Sequence, residues 1–93
     1  MDALTTQNSR RLGDVPRGFS GAIIAIEHDA VDSALSGIEL ERRLIEFGFV
    51  EGARVEVLHE GPVGGDPIAI RINGATVALR RREAMAIKVT DAS

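Results

Sequence analysis

The chain contains no cysteine, no tryptophan and no tyrosine, and only three phenylalanines and three prolines in 93 residues. Without cysteine there is no disulfide framework, thiolate zinc finger, iron–sulfur cluster or cysteine nucleophile. The core must hold the fold unaided, which suits a reducing, cytosolic setting. The shortage of aromatics leaves little to stack on nucleic-acid bases. A formal net charge of −3, from 11 basic and 14 acidic side chains, supplies no positive footprint for phosphates either. The charge is not segregated: residues 1–35 carry three basic and five acidic groups, residues 36–93 eight and nine. Long apolar runs are also missing. The longest, Ala22 to Ile26, has five residues, against the ~20 that span a bilayer. Residues 1–10 lack the apolar stretch of a signal peptide.

What the chain does have is an ordinary globular content of apolar residues, 44%, and a length that fits one compact domain. Leu12 to Gly18 is rich in turn formers, with Pro16 fixing φ and Gly18 permitting a positive one. In Phe19 to Glu27 both alternation phases are apolar, which predicts a strand covered on both sides for part of its length. One helix follows. Ser36 and Glu39 fit a capping box, Leu35 and Leu40 a hydrophobic staple, and Glu39 and Arg43 an i, i+4 pair. Leu40, Leu44 and Phe47, with Ile45 beside them, predict one apolar stripe. Gly48 fits the left-handed position that ends a helix, with Phe49 folding back on Leu44.

After Gly52 the pattern is that of strands. Val55 and Val57, Ile68, Ile70 and Ile72, and Val77 and Leu79 each alternate with polar or small residues. Asn73-Gly74 predicts a two-residue hairpin turn. Arg81 to Met85 fits one helical turn and Ala86 to Val89 a last strand. Short strands in so small a chain are expected to close into a barrel.

Several motifs invite chemical readings that their surroundings do not sustain. Gly61-Pro-Val-Gly-Gly-Asp-Pro67 lacks the Gly-Lys-Ser/Thr ending and following helix of a phosphate loop, and reads as a hairpin connection. His28 and His59 stand beside carboxylates, so they are the only candidate ligands for a borderline divalent ion. No third histidine or facial-triad spacing accompanies them, and the expectation is no intrinsic metal or cofactor. Arg80-Arg81-Arg82 fits a solvated corner, or a contact with an acidic partner surface or a phosphate. No serine has a base in a recognisable local motif, so an enzyme is not expected.

The order of specific segments resembles the FeoA family. Glu39 to Val57 is similar to that family's helix, its Leu-Gly-Leu-like stop and the following strand. Gly61 to Ile68 is similar to its Pro-Leu-Gly-Asp-Pro segment. Asn73 to Ala84, followed by Ile87-Lys-Val89, is similar to its closing Leu-Arg-x-x-Glu-Ala…Ile-x-Val signature. Leu12 to Ile26 resembles its opening. The sequence departs from the pattern in an extra glycine at Gly64-Gly65 and in Phe47 and Phe49 where leucines are usual.

The resemblance implies a mainly β fold: a small SH3-like barrel of about five short strands, with one α-helix inserted between the first and second. The domain is expected over residues 12–90, between a flexible tail at 1–11 and a short one at 91–93. The resemblance also implies a cytoplasmic accessory of ferrous iron uptake that binds the cytosolic region of the transporter FeoB, without membrane insertion or nucleic acid and with room for weak homo-oligomerisation. For such a role Phe49, Leu58, Pro62 and Val63 with Arg80 and Arg81 would form an apolar-centred, basic-rimmed patch. The alternative is a free-standing SH3-like regulatory module that binds a divalent metal or a metal-dependent repressor.

Overall fold

The computed structural model describes residues 9–27 and 37–91. Strand β1 (Ser9–Arg11) leads through a 3₁₀ turn (Leu12–Asp14) to β2 (Ser20–Ile26). Helix α1 (Gly37–Glu46) separates β2 from β3 (Arg54–Val63), which continues into β4 (Asp66–Ile72) and β5 (Ala75–Leu79). A single helical turn, α2 (Arg81–Ala84), precedes the last strand β6 (Ile87–Asp91). The six strands form one sheet in the order β1-β6-β2-β3-β4-β5, antiparallel throughout. The expected barrel is therefore an open one, with β1 and β5 as its edges.

Alternation carries the packing. Val55, Val57, Ile68, Ile70, Ile72 and Leu79 turn to the core, where they meet Leu12, Leu40, Leu44, Ile87 and Val89. In β2 only Gly21 and Ile23 are buried and the residues from Ile24 to Ile26 are half-buried, so the strand is covered in part on both faces. Its pairing with β6 shifts register between Ile23 and Ala25, which re-aims the side chains that follow.

The helix end shows how one glycine sets the core. The Phe49 N–H bonds to the Leu44 carbonyl at 2.9 Å and the Gly48 N–H to the Ile45 carbonyl at 2.9 Å, the paired bonds of a Schellman motif. Gly48 holds φ 101°. The chain reversal buries Phe49 and leaves Phe47 44% exposed. The expected stripe is corrected at two positions: Phe47 falls past the helix end at Glu46, and Ile45, within the helix, is 47% exposed on its outer face, so the stripe narrows to Leu40 and Leu44. Exchanging Gly48 for alanine adds a Cβ that collides with the Asn73 side-chain amide and forces a disfavoured φ. Stability should fall by about 1–2 kcal/mol, readable as a lower urea midpoint.

The Asn73-Gly74 hairpin forms as expected, with φ 53° and 80°, the two positive values of a type I′ turn. One difference remains. The Ser9–Arg11 segment, assigned to the tail by sequence, is a strand paired with Lys88 to Thr90. Arg43 meets Glu83 at 3.6 Å, tying α1 to α2. The capping box at Ser36 and the staple at Leu35 lie outside the described residues.

Candidate partner-binding surface

Four of the six surface candidates gather where the β3–β4 hairpin meets α2. Gly64 and Gly65 turn β3 back into β4, and Val63 pairs with Asp66 across the turn. The Asp66 carboxylate accepts the Arg81 N–H at 2.8 Å, which docks the start of α2 on the hairpin. Arg80, just before α2, is exposed, and its N–H donates to the Glu83 carboxylate at 3.1 Å. The Glu83 side chain thereby satisfies one of the donors around a helix start.

Arg81 is the hub. Its Nε donates to the Gly65 carbonyl at 2.8 Å, Nη1 to the carbonyls of Val15 at 2.8 Å and Gly13 at 3.2 Å, and Nη2 to Glu60 Oε2 at 2.6 Å. A planar guanidinium is the one side chain whose fork reaches so many acceptors at fixed angles. Its side chain is only 20% exposed. Arg81 thus fastens the hairpin to the 3₁₀ turn from within, instead of offering its charge at a rim. Gly13 completes the joint: any Cβ there would strike the Arg81 carbonyl and the Met85 side chain.

The apolar candidates separate. Pro62 and Val63 stand at the hairpin tip, and Val63 is 79% exposed. Leu58 falls where the β3–β4 register shifts between Val57 and His59, and is half-buried. Phe49 has no exposed surface and lies in the core, because the helix-end motif turns it inward. Pro62, Val63 and Arg80 are thus the exposed candidates of this corner, and Leu58 is half-buried along β3.

Sequence reading missed the acceptors that make the corner rigid, namely Glu60, Asp66 and the carbonyls of Gly13, Val15 and Gly65. No local signal marks them, since they reach Arg81 from distant positions in the chain. It also missed the outer face of α1, where Ile38 and Ile45 are exposed and, with Glu41, Arg42 and Glu46, line a shallow depression of about 280 Å³. The i, i+7 spacing of Ile38 and Ile45 was the available signal.

His59 is exposed on β3, and its neighbour Glu60 is engaged by Arg81. His28 lies outside the described residues. Among the described residues no three His, Cys, Asp or Glu side chains gather as a metal site. No helix among them is long and apolar enough to cross a membrane.

Solved structures share this architecture. The zinc complex of Stenotrophomonas maltophilia FeoA is 31% identical, with a TM-score of 0.67 over 84% of this chain and 86% of that one. It is described as a prokaryotic SH3 domain protein and a candidate activating factor of bacterial ferrous iron transport. FeoA from Chlorobium tepidum is 31% identical, with a TM-score of 0.72 over 90% and 71% of the two chains. A manganese-dependent transcriptional repressor is 26% identical, with a TM-score of 0.70, and the match covers 90% of this chain and 42% of that one. No curated protein sequence matches significantly. The mainly β fold, with its one multi-turn helix α1 among the described residues, is thus SH3-like, as expected. The FeoA domain family matches residues 10–91, nearly the whole sequence, and the chain belongs to the FeoA family.

Proposed function

We propose that this chain is a non-catalytic cytoplasmic accessory of bacterial ferrous iron import, and that it acts by binding the cytosolic region of the transporter FeoB. Family membership supplies the link to iron transport. The observation that carries the mode of action is Val63, 79% exposed at a hairpin tip whose flanks are fixed by the Arg81 fork. An apolar side chain on a rigid support loses little conformational freedom when a partner covers it. Arg80, exposed at the start of the helical turn docked on the same hairpin, adds a cation that steers an acidic surface into place.

Titration calorimetry of the purified chain against FeoB's cytosolic region tests this reading. Val63→Asp is expected to weaken association at least about tenfold, as loss of a central contact does. The fold is expected to be unaffected, because the residue lies outside the core. Absence of any association, with normal Fe(II) uptake in a deletion strain, would overturn the proposal.

The likeness to a manganese-dependent repressor supports a second reading, a regulatory module that holds a divalent ion or contacts a repressor. Titration with Fe(II), Mn(II) and Zn(II) separates the two. Tight stoichiometric binding that is lost in His28→Ala and His59→Ala favours this second reading.

A further inference from the structure

Among the described residues the open sheet ends on β1 and β5, and these two edges are built differently. β1 has three residues, two of them arginines. Arg10 approaches Asp91 at 3.6 Å and lies over the Phe19 ring, and Arg11 meets Glu27 at 2.6 Å. A short, charged edge resists further strand pairing. β5 has none of these protections. Ala75-Thr-Val-Ala-Leu79 carries no charge and no proline. It pairs with β4 without a register break, from Ile68 opposite Leu79 to Ile72 opposite Ala75. Among the described residues β4 is its one hydrogen-bonded neighbour. Ala75, Thr76 and Ala78 are small and exposed, so nothing on the strand holds another backbone away.

We propose that β5 is a homodimerisation edge, on which two copies of this chain pair their β5 strands antiparallel about a two-fold axis through Val77. The strand is self-complementary in this arrangement. Val77 faces its own equivalent, Thr76 of each copy faces Ala78 of the other, and Ala75 faces Leu79. The β-branched residues at the centre suit strand pairing. The nearest charge, Arg80, falls opposite Gly74 of the other copy, which has no side chain, so like charges do not meet. An isologous contact of this kind counts each favourable pair off the axis twice. Five residues per strand bury far less than the roughly 1,600 Å² of a standard stable interface. The dimer is therefore weak, with dissociation in the micromolar-to-millimolar range. This inference is independent of the FeoB reading.

Sedimentation equilibrium of the full chain, from micromolar to millimolar concentration at low salt, tests it. The wild type is expected to show a concentration-dependent monomer–dimer equilibrium. Thr76→Lys with Ala78→Lys sets Lys opposite Lys twice and should raise the dissociation constant about tenfold or more. Thr76→Lys with Ala78→Glu sets Lys opposite Glu twice and should return it to within a few-fold of wild type. Hydrogen exchange on the unaltered protein gives a readout that needs no variant: amides of residues 75–79 should gain protection as concentration rises, and those of residues 9–11 should not. A wild type that stays monomeric throughout overturns the proposal. So does a dimer equally affected by both double variants, or one that forms without protecting β5.

Discussion

Phe49→Ala should cost about 3–5 kcal/mol of unfolding free energy, the usual range for emptying a buried aromatic site, while Phe47→Ala should change it by less than about 1 kcal/mol. The two residues are separated only by Gly48, and both are phenylalanine, so composition and neighbourhood are nearly held constant. Phe49 has no exposed surface, and Phe47 is 44% exposed. The paired bonds from Phe49 to Leu44 and from Gly48 to Ile45 fix which ring goes inward. Phe49→Ala removes the whole ring from a core cluster shared by helix and strand residues, and the hydrogen-bonded strands can close only part of the space. For a domain of this size the loss corresponds to a fall in Tm of about 15 °C or more. With no tryptophan or tyrosine in the chain, far-UV circular dichroism is the natural probe. Comparable losses from both variants would mean that the helix runs on past Glu46 and that the chain reversal is misassigned.

The second large effect is expected at Arg81. Arg81→Ala removes the fork that satisfies three backbone carbonyls and the Glu60 carboxylate. Acceptors left unpaired in a part-buried joint are the costly part of such a change, and a loss of about 2–4 kcal/mol is expected. Arg81→Lys should recover less than half of it. An ammonium on a flexible stem can satisfy one or two of these acceptors but cannot hold all at once. Most of the fork's bonds go to neutral carbonyls, so the loss should change little between low and high salt. A simple ion pair with Glu60 would instead weaken with salt. Denaturant titrations of the three proteins at two ionic strengths decide between these. If Arg81→Lys matches the wild type, a charge alone suffices and the fork is not what fastens the hairpin.

The contrast between these two positions shows where sequence reading succeeds and where it stops. The helix end was legible because its determinants are local: Gly48 reverses the chain, and Phe49 follows one residue later. The Asn73-Gly74 turn was legible for the same reason, and the strands around it followed from alternation. What failed at Phe47 was the assumption that helical spacing persists past the residue where the glycine ends it. β1 was missed because Ser9-Arg10-Arg11 shows no alternation and is too short to have a period. Arg81 was read as part of a basic run, since charge density is a local property. Its partners at Gly13, Val15, Glu60 and Gly65 come from other elements, and only the assembled fold brings them to one guanidinium. The candidate surface was therefore half legible. Pro62, Val63 and Arg80 stood out by composition, whereas the residues that make their corner rigid carried no mark.

The position of β6 has a consequence for how this chain is made. The last strand of this domain is not an edge strand; it lies between β1 and β2 and buries Ile87 and Val89 completely. Until those few residues emerge, β1 and one side of β2 lack the strand that pairs with them. The N-terminal segments must therefore wait, incompletely paired, through most of synthesis, and the hairpins of β3, β4 and β5 are the parts able to form as they appear. A nascent chain stalled just short of Ile87 would hold an exposed apolar strand, a natural target for a chaperone or a protease. Completion of the fold therefore waits on β6.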